Sequence, residues 1–390
     1  MIRHSTKRLC ATLGAVLVAV CGTTLLTPTP GIAQTVPDGS IDTTFSAPVD
    51  KNVRSLAVQA DGKIIVGHLN GIVRRLNTDG SVDSSFNRAV IAGAVNSIAV
   101  QSDGRILIGG NFAGSLQRLD TSGSIDPTFT PPDLDSYVYS ITVQDDGKIL
   151  IGGTFSGSVW RLNDTGEIDP TFIGEDRGGG VNSIAVQADR KIVIGGNNFG
   201  YVRRLNTNGS IDPTFTPPNL DGTVTSVVMQ DDGKILIGGY FSGYVKRLTA
   251  NGDVDATFTP PDLGGTPRSI AMQADGRILL GGTFGDRVMR LNTDGTKDGT
   301  FTRPAFTVDG VEYPLDWLYS IVLQGDGKII VGGRGRPTRL NNALPTPPNA
   351  GTVLGGGGSN NAVWIIVIVA AGLVVAGGTT VARRRKPAAQ

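Results

Sequence analysis

The chain has 390 residues, with 35 basic and 34 acidic side chains and a formal net charge of +1. So even a balance offers no basic field for nucleic acid. Both cysteines, Cys10 and Cys21, lie near the start, and His68 is the only histidine after His4, which excludes disulfide, thiol and His- or Cys-rich metal chemistry for the rest.

In chain order, residues 1–33 read as a secretory signal. Arg3, Lys7 and Arg8 form its basic region, Leu9 to Leu26 is apolar, and Gly31-Ile32-Ala33 offers a cleavage site. Pro37 to Phe45, PDGSIDTTF, is an isolated copy of an element that returns later. From Val53 to Leu340 the sequence is periodic, with SIAVQ, DGKILIGG, VxRL and GSIDPTF as landmarks of one unit. The Gly of the DG pair falls at Gly62, Gly104, Gly147, Gly233, Gly276 and Gly327, with Arg190 at that place in the fourth unit. Seven units open on a VxS-type strand, and six close on an IDxxF element, the last at Phe301.

Each unit predicts four short strands. SIAVQ and KILIGG are apolar and β-branched, and the DG between them is a hairpin signal. The VxRL and SIDxTF segments supply the third and fourth. Pro127, Pro170 and Pro213 fall in the fourth, which suits an outer edge. The seventh unit lacks its closing element, and Pro37 to Phe45 supplies the missing piece. The expected fold is therefore all-β: a seven-bladed β-propeller over 34–342, with four-stranded blades, closed by the N-terminal strand.

After Leu340 the composition changes. Residues 343–362 form a Pro- and then Gly-rich linker. Val363 to Ala382 carries no charge and predicts one transmembrane helix spanning roughly 30 Å. The basic tail 383–390, opening on Arg383-Arg384-Arg385-Lys386, is expected to stay cytoplasmic.

Two resemblances follow from these motifs. The DGKILIGG and RLNxDGSIDxTF repeat resembles the delta-60 repeat family of bacterial β-propellers, which implies the propeller and little about function. The C-terminal tail resembles Gram-positive sorting signals but departs from them: Leu344-Pro345-Thr346-Pro347-Pro348 lacks the Thr and Gly of LPxTG. Retention as a single-pass membrane protein is the expectation.

Residues repeated in every unit point to construction. Arg161 and Asp169, eight apart, are expected to pair within a blade, and Arg339 with Asp42 across the closure. The DG turns lack the oxygen ligands and distal Glu of a calcium loop, so no metal and no cofactor are expected. Residues that break the repeat point to binding. Tyr137, Tyr240, Tyr313, Trp317, His68, Arg334 and Arg336 are expected on the face of the second turn and of the blade-to-blade crossings, which vary. The expected function is an extracellular, monomeric, membrane-anchored binding module for a protein or glycan. An extracellular polysaccharide hydrolase or lyase using Asp or Glu is the second reading, and a structural envelope component the third.

Overall fold

The computed structural model describes residues 36–174, 178–197, 201–304, 307–308, 311–312, 317–342, 365–369 and 372–376. The expected signal 1–33, the linker 343–362, the basic tail 383–390 and Tyr313 lie outside the described residues.

Each repeat folds into one antiparallel sheet. Blade 1 holds an inner strand Val53–Val58, a middle strand Ile64–His68 and an outer strand Ile72–Leu76. Blade 3 repeats this with Val138–Val143, Ile149–Gly153 and Val159–Leu162. Inner strands of successive blades lie side by side, and that of blade 7, Leu318–Leu323, lies against that of blade 1. The fold is all-β and propeller-like, with seven such sheets.

The expected fourth strand is not formed as a strand. It shrinks to one bridge per blade, such as Leu162 with Ile168 and Leu205 with Ile211. The reason is the Asp that follows. Asp169 Oδ1 accepts the Thr171 N–H (2.9 Å) and the Thr171 hydroxyl (2.6 Å), which turns the chain out of the ladder. In blade 1 a two-residue strand, Ala89–Val90, pairs with the other end of the outer strand. The expected transmembrane helix also differs. Ile365–Val369 and Gly372–Ala376 form a strand pair, and the first pairs with blade 2 at Ile98 and Ser97. The Ile and Val run of that first strand is β-branched and favours extended backbone. Among the described residues no helix is long and apolar enough to cross a membrane.

Blades approach closely because each GG pair opens on a glycine with no room for a side chain. A Cβ on Gly152 would meet Val181 at 2.8 Å, and one on Gly332 would meet Val53 of blade 1 at 2.5 Å. Serines of the inner strands cross the same gaps: Ser97 Oγ accepts the Ile141 N–H (3.1 Å) and Ser140 Oγ accepts the Ile184 N–H (3.1 Å).

The repeated arginines cross as well. Arg161 Nε donates to Asp169 Oδ2 (2.7 Å), Nη2 to the Thr171 hydroxyl (3.1 Å) and Nη1 to the Thr207 carbonyl of the next blade (2.5 Å). Its guanidinium stacks on Phe172, 4.9 Å from the ring centre. Lys148 adds a second cation 2.8 Å from Asp169. Burial opposes the Asp169 charge, but Lys148, Thr171 and Arg161 outweigh it and hold the carboxyl well below its ordinary range.

At the chain ends the same bonds are made by two distant segments. Arg339 Nε donates to Asp42 (2.8 Å) and Nη1 to the Thr78 carbonyl of blade 1 (2.5 Å), while Ile41 bridges Leu340. The intact turn of blade 1 carries Gly80 N–H to Asn77 O (3.0 Å) and Asn77 N–H to Ser81 O (2.8 Å). Blade 7 makes the same pair from opposite ends: Gly39 N–H to Asn341 O (2.7 Å) and Asn341 N–H to Ser40 O (2.8 Å). Arg290 of blade 6, fully buried, clamps this split turn by donating to Asn342 Oδ1 (2.8 Å) and Asp38 Oδ2 (2.9 Å).

Two outcomes follow. Arg161→Gln leaves a buried carboxylate with Lys148 as its one cation and should cost about 2–3 kcal/mol in urea unfolding at neutral pH. The Asp169 contribution is present above the ordinary carboxylate pKa of 3.8 and is lost as pH falls through the depressed folded value, so the variant and the parent should converge in acid. Deleting Pro37 to Phe45 takes Asp42 from Arg339 and Asp38 from Arg290 and should lower the melting temperature by about 10 °C or more; an unchanged melt would show that the junction contributes nothing.

Candidate functional site

The inner strand holds one position whose residue differs from blade to blade. In all seven blades the ladder between inner and middle strands shifts register between the first and third residues, as between Val53 and Ser55 or between Leu318 and Ser320. The residue between them is a bulge residue. Across the blades it is Arg54, Asn96, Tyr139, Asn182, Thr225, Arg268 and Tyr319, whereas the Ser that follows is the same in every blade. A bulge re-aims a side chain and frees it from the cross-strand pairing that constrains its neighbours.

Blades 6, 7, 1 and 2 bring four of these residues into contact. The Arg54 guanidinium lies 4.9 Å and the Arg268 guanidinium 5.6 Å from the Tyr319 ring centre. Arg54 Nη2 donates to Asn96 Oδ1 (3.2 Å), and Asn96 Nδ2 donates to the Val138 carbonyl (3.3 Å). Trp317 extends the cluster. Arg268 lies 5.1 Å and Arg334 4.6 Å from its ring centre, and its ring meets Tyr319 edge-on at 6.3 Å. Trp317 is 39% exposed.

The predicted residues divide. Trp317 and Arg334 are brought together, and Arg336 is exposed close by in sequence. Tyr137 is exposed on blade 3. Tyr240, 71% exposed, lies on blade 5 in a separate groove of about 720 Å³ with Phe241, Tyr244, Pro260 and Pro261. His68 is not on a surface at all: it is 0% exposed. Its Nδ1 donates to the Lys51 carbonyl (3.2 Å), and Nε2 is buried without a partner. It fits where other blades need Gly because Asn52 takes φ 66. At that Gly elsewhere a Cβ would strike the carbonyl of the residue matching Asn52, as Gly153 would strike Tyr137 O at 1.9 Å. Turning Asn52 into the left-handed region redirects its carbonyl. Arg54, Arg268 and Tyr319 were missed in the sequence; their signal was the one freely varying letter of VxSIAV.

A second cavity, of about 1380 Å³, opens at the DG-turn end of the strands, opposite the bulges. Val58, Met229, Met272, Leu323 and Gln324 line it. Among the described residues no cluster of His, Cys, Asp and Glu could hold a metal ion.

Burial pushes the His68 pKa down from its ordinary value of 6.5. Its contribution to stability is therefore present above that value and is lost as pH falls through the lower folded pKa. Between about pH 7.5 and 5 the parent should lose stability more steeply than His68→Gly in urea titrations. Parallel slopes would place the imidazole in contact with water.

A search of curated proteins finds no match. Among solved structures the fold is widespread, with 1120 matching chains. Virginiamycin B lyase from Staphylococcus aureus aligns over 75% of this chain and 95% of its own, with a TM-score of 0.61 and 18% identity. The WD40 β-propeller domain of Doa1 aligns over 80% of this chain and 98% of its own, with a TM-score of 0.61 and 19% identity. The extracellular domain of what is described as a hybrid two component system from B. thetaiotaomicron aligns over 79% of this chain and 40% of its own, with a TM-score of 0.58 and 14% identity. Identities this low show the fold alone. Six segments, 59–86, 101–129, 144–172, 187–215, 230–258 and 273–301, match the family described as "Domain of unknown function (DUF5122) beta-propeller". Each runs from the Gln after an inner strand to the closing Phe, so the chain carries six copies of a β-propeller family repeat that includes the Arg, Asp and Phe of the network and leaves out the bulge residue.

Proposed function

We propose that the chain is an extracellular binding module for a protein or glycan, built on a ring that the N-terminal segment closes and held at the cell membrane by its C-terminal segment. The observation that carries this is the split between repeated and varying residues. Arg, Asp, Gly and Ser recur and are consumed by bonds within and between blades, while the bulge residues and Trp317 vary and group at one end of the strands. Varying residues on a rigid scaffold are where recognition resides. Aromatic and arginine side chains are the types that most often anchor a partner.

The address rests on the signal-like 1–33, the spacer 343–362 and the uncharged Val363 to Ala382 before Arg383. In a bilayer such a segment satisfies its backbone as a helix, which water does not require of it. The likeness to an extracellular domain agrees with this address. The likeness to a lyase is one of fold, and the repeated aspartates that could serve as acids are engaged by Arg and Lys.

The full chain should show saturable binding when screened against cell-wall polymers, glycans and extracellular-matrix proteins. Trp317→Ala should weaken that binding about tenfold or more without shifting the melt. Turnover of a glycan would instead support the hydrolase or lyase reading, and silence on every surface would support a structural role.

A further inference from the structure

Arg54 and Arg268 are the anomaly of this rim. Every repeated Arg of the blades has a carboxylate within 2.8 Å, yet neither of these two has a carboxylate partner among the described residues. Both carry a buried Nε with no hydrogen-bond partner. Both lean on the same ring, that of Tyr319, which is itself buried. One cation satisfies a ring; the second adds repulsion and a second desolvation cost. Burial pushes the Arg268 guanidinium down from its ordinary value, and the Arg54 charge adds to the effect.

We propose that Arg54 and Arg268 hold the carboxylate of an acidic saccharide whose sugar ring packs on Trp317. The proposal rests on the binding-module reading and deepens it. A carboxylate matches the guanidinium fork, would accept from the Nε atoms now without partners and would neutralise the repulsion between the two cations. Trp317, partly exposed, adds apolar ring surface at the edge of the pair. A saccharide uses both the charge and the aromatic surface. An acidic peptide would use the charge alone.

The test uses the full chain and a galacturonate tetramer, with its methyl ester, lacking the charge, as the matched control. Calorimetry should show binding that weakens as salt rises. Arg54→Gln and Arg268→Gln should each lose about tenfold or more in affinity while melting as the parent does. Lys148→Gln, in the scaffold at the other end of the strands, should leave binding as it is. The inference falls if the ester binds as well as the acid, if both Gln variants bind as the parent does, if polyglutamate binds through the same arginines in place of the tetramer, or if the tetramer does not bind. In any of these cases the wider reading stands if the Trp317-dependent screen still returns a partner, so the two failures are told apart.

Discussion

One buried guanidinium per blade sets the terms for the whole array of blades. An arginine brings five N–H donors into a site with almost no water, and each donor left unpaired is costly. Its own blade supplies the Asp carboxylate, a hydroxyl and a Phe face. The remaining Nη1 finds its acceptor only on the next blade, as Arg118 does on Asp164 and Arg204 on Ala250. A blade alone would leave that donor unmet, along with the apolar face that the first Gly of each GG pair lets its neighbour cover. Stability therefore belongs to neighbouring pairs of blades, as in other repeat proteins.

The same requirement explains the chain ends. Blade 6 has no intact turn on blade 7 to accept from Arg290, because the chain stops its repeat at Leu340 and the matching residues sit at the N-terminal side. Arg290 donates to Asn342 and to Asp38, one from each side of the break. Blade 7 then treats Asp42 as its own: Arg339 and Lys328 both reach Asp42 Oδ2, at 2.8 and 2.7 Å. A junction built from the standard bonds of the repeat is expected wherever the buried Arg must be satisfied, whatever the route of the chain between its partners.

Most of this frame was legible in the sequence because it repeats. The eight-residue spacing of Arg161 and Asp169 marked a pair, and the half-unit at Pro37 to Phe45 marked the partner of Arg339. What a period cannot tell is which of two bonds wins at one residue. The Ile168-Asp169 step looked like the start of a strand, but the Asx-type turn at Asp169 captures the chain after a single bridge. His68 looked like a surface departure because it replaced a glycine. Its explanation lies sixteen residues earlier in Asn52, whose backbone conformation no residue pattern announced. Val363 to Ala382 shows the limit in another way: lack of charge suits a membrane helix, and its Ile and Val suit a strand equally well.

The candidate site was hidden for a related reason. Sequence comparison among blades ranks loops by their variation, and the bulge residue sits inside the most regular strand of the unit. Regularity on both sides made it look like core. The register shift removes it from the ladder, so its identity is not set by a partner across the sheet. The apolar contact between blades is made by its neighbours, and where the bulge residue is Asn or Thr it adds its own bond to the next blade, as Asn96 does to the Val138 carbonyl and Thr225 to the Pro267 carbonyl. Seven such positions follow one another along the inner strands, and their identities differ from blade to blade. Arg268, Tyr319, Arg54 and Asn96 are four in succession, and the adjoining blades fix their order and spacing as firmly as they fix the Arg–Asp pairs. A scaffold that commits its repeated charges at the DG-turn end leaves this opposite rim as the place where charge can appear without a partner, and that is where Arg54 and Arg268 stand.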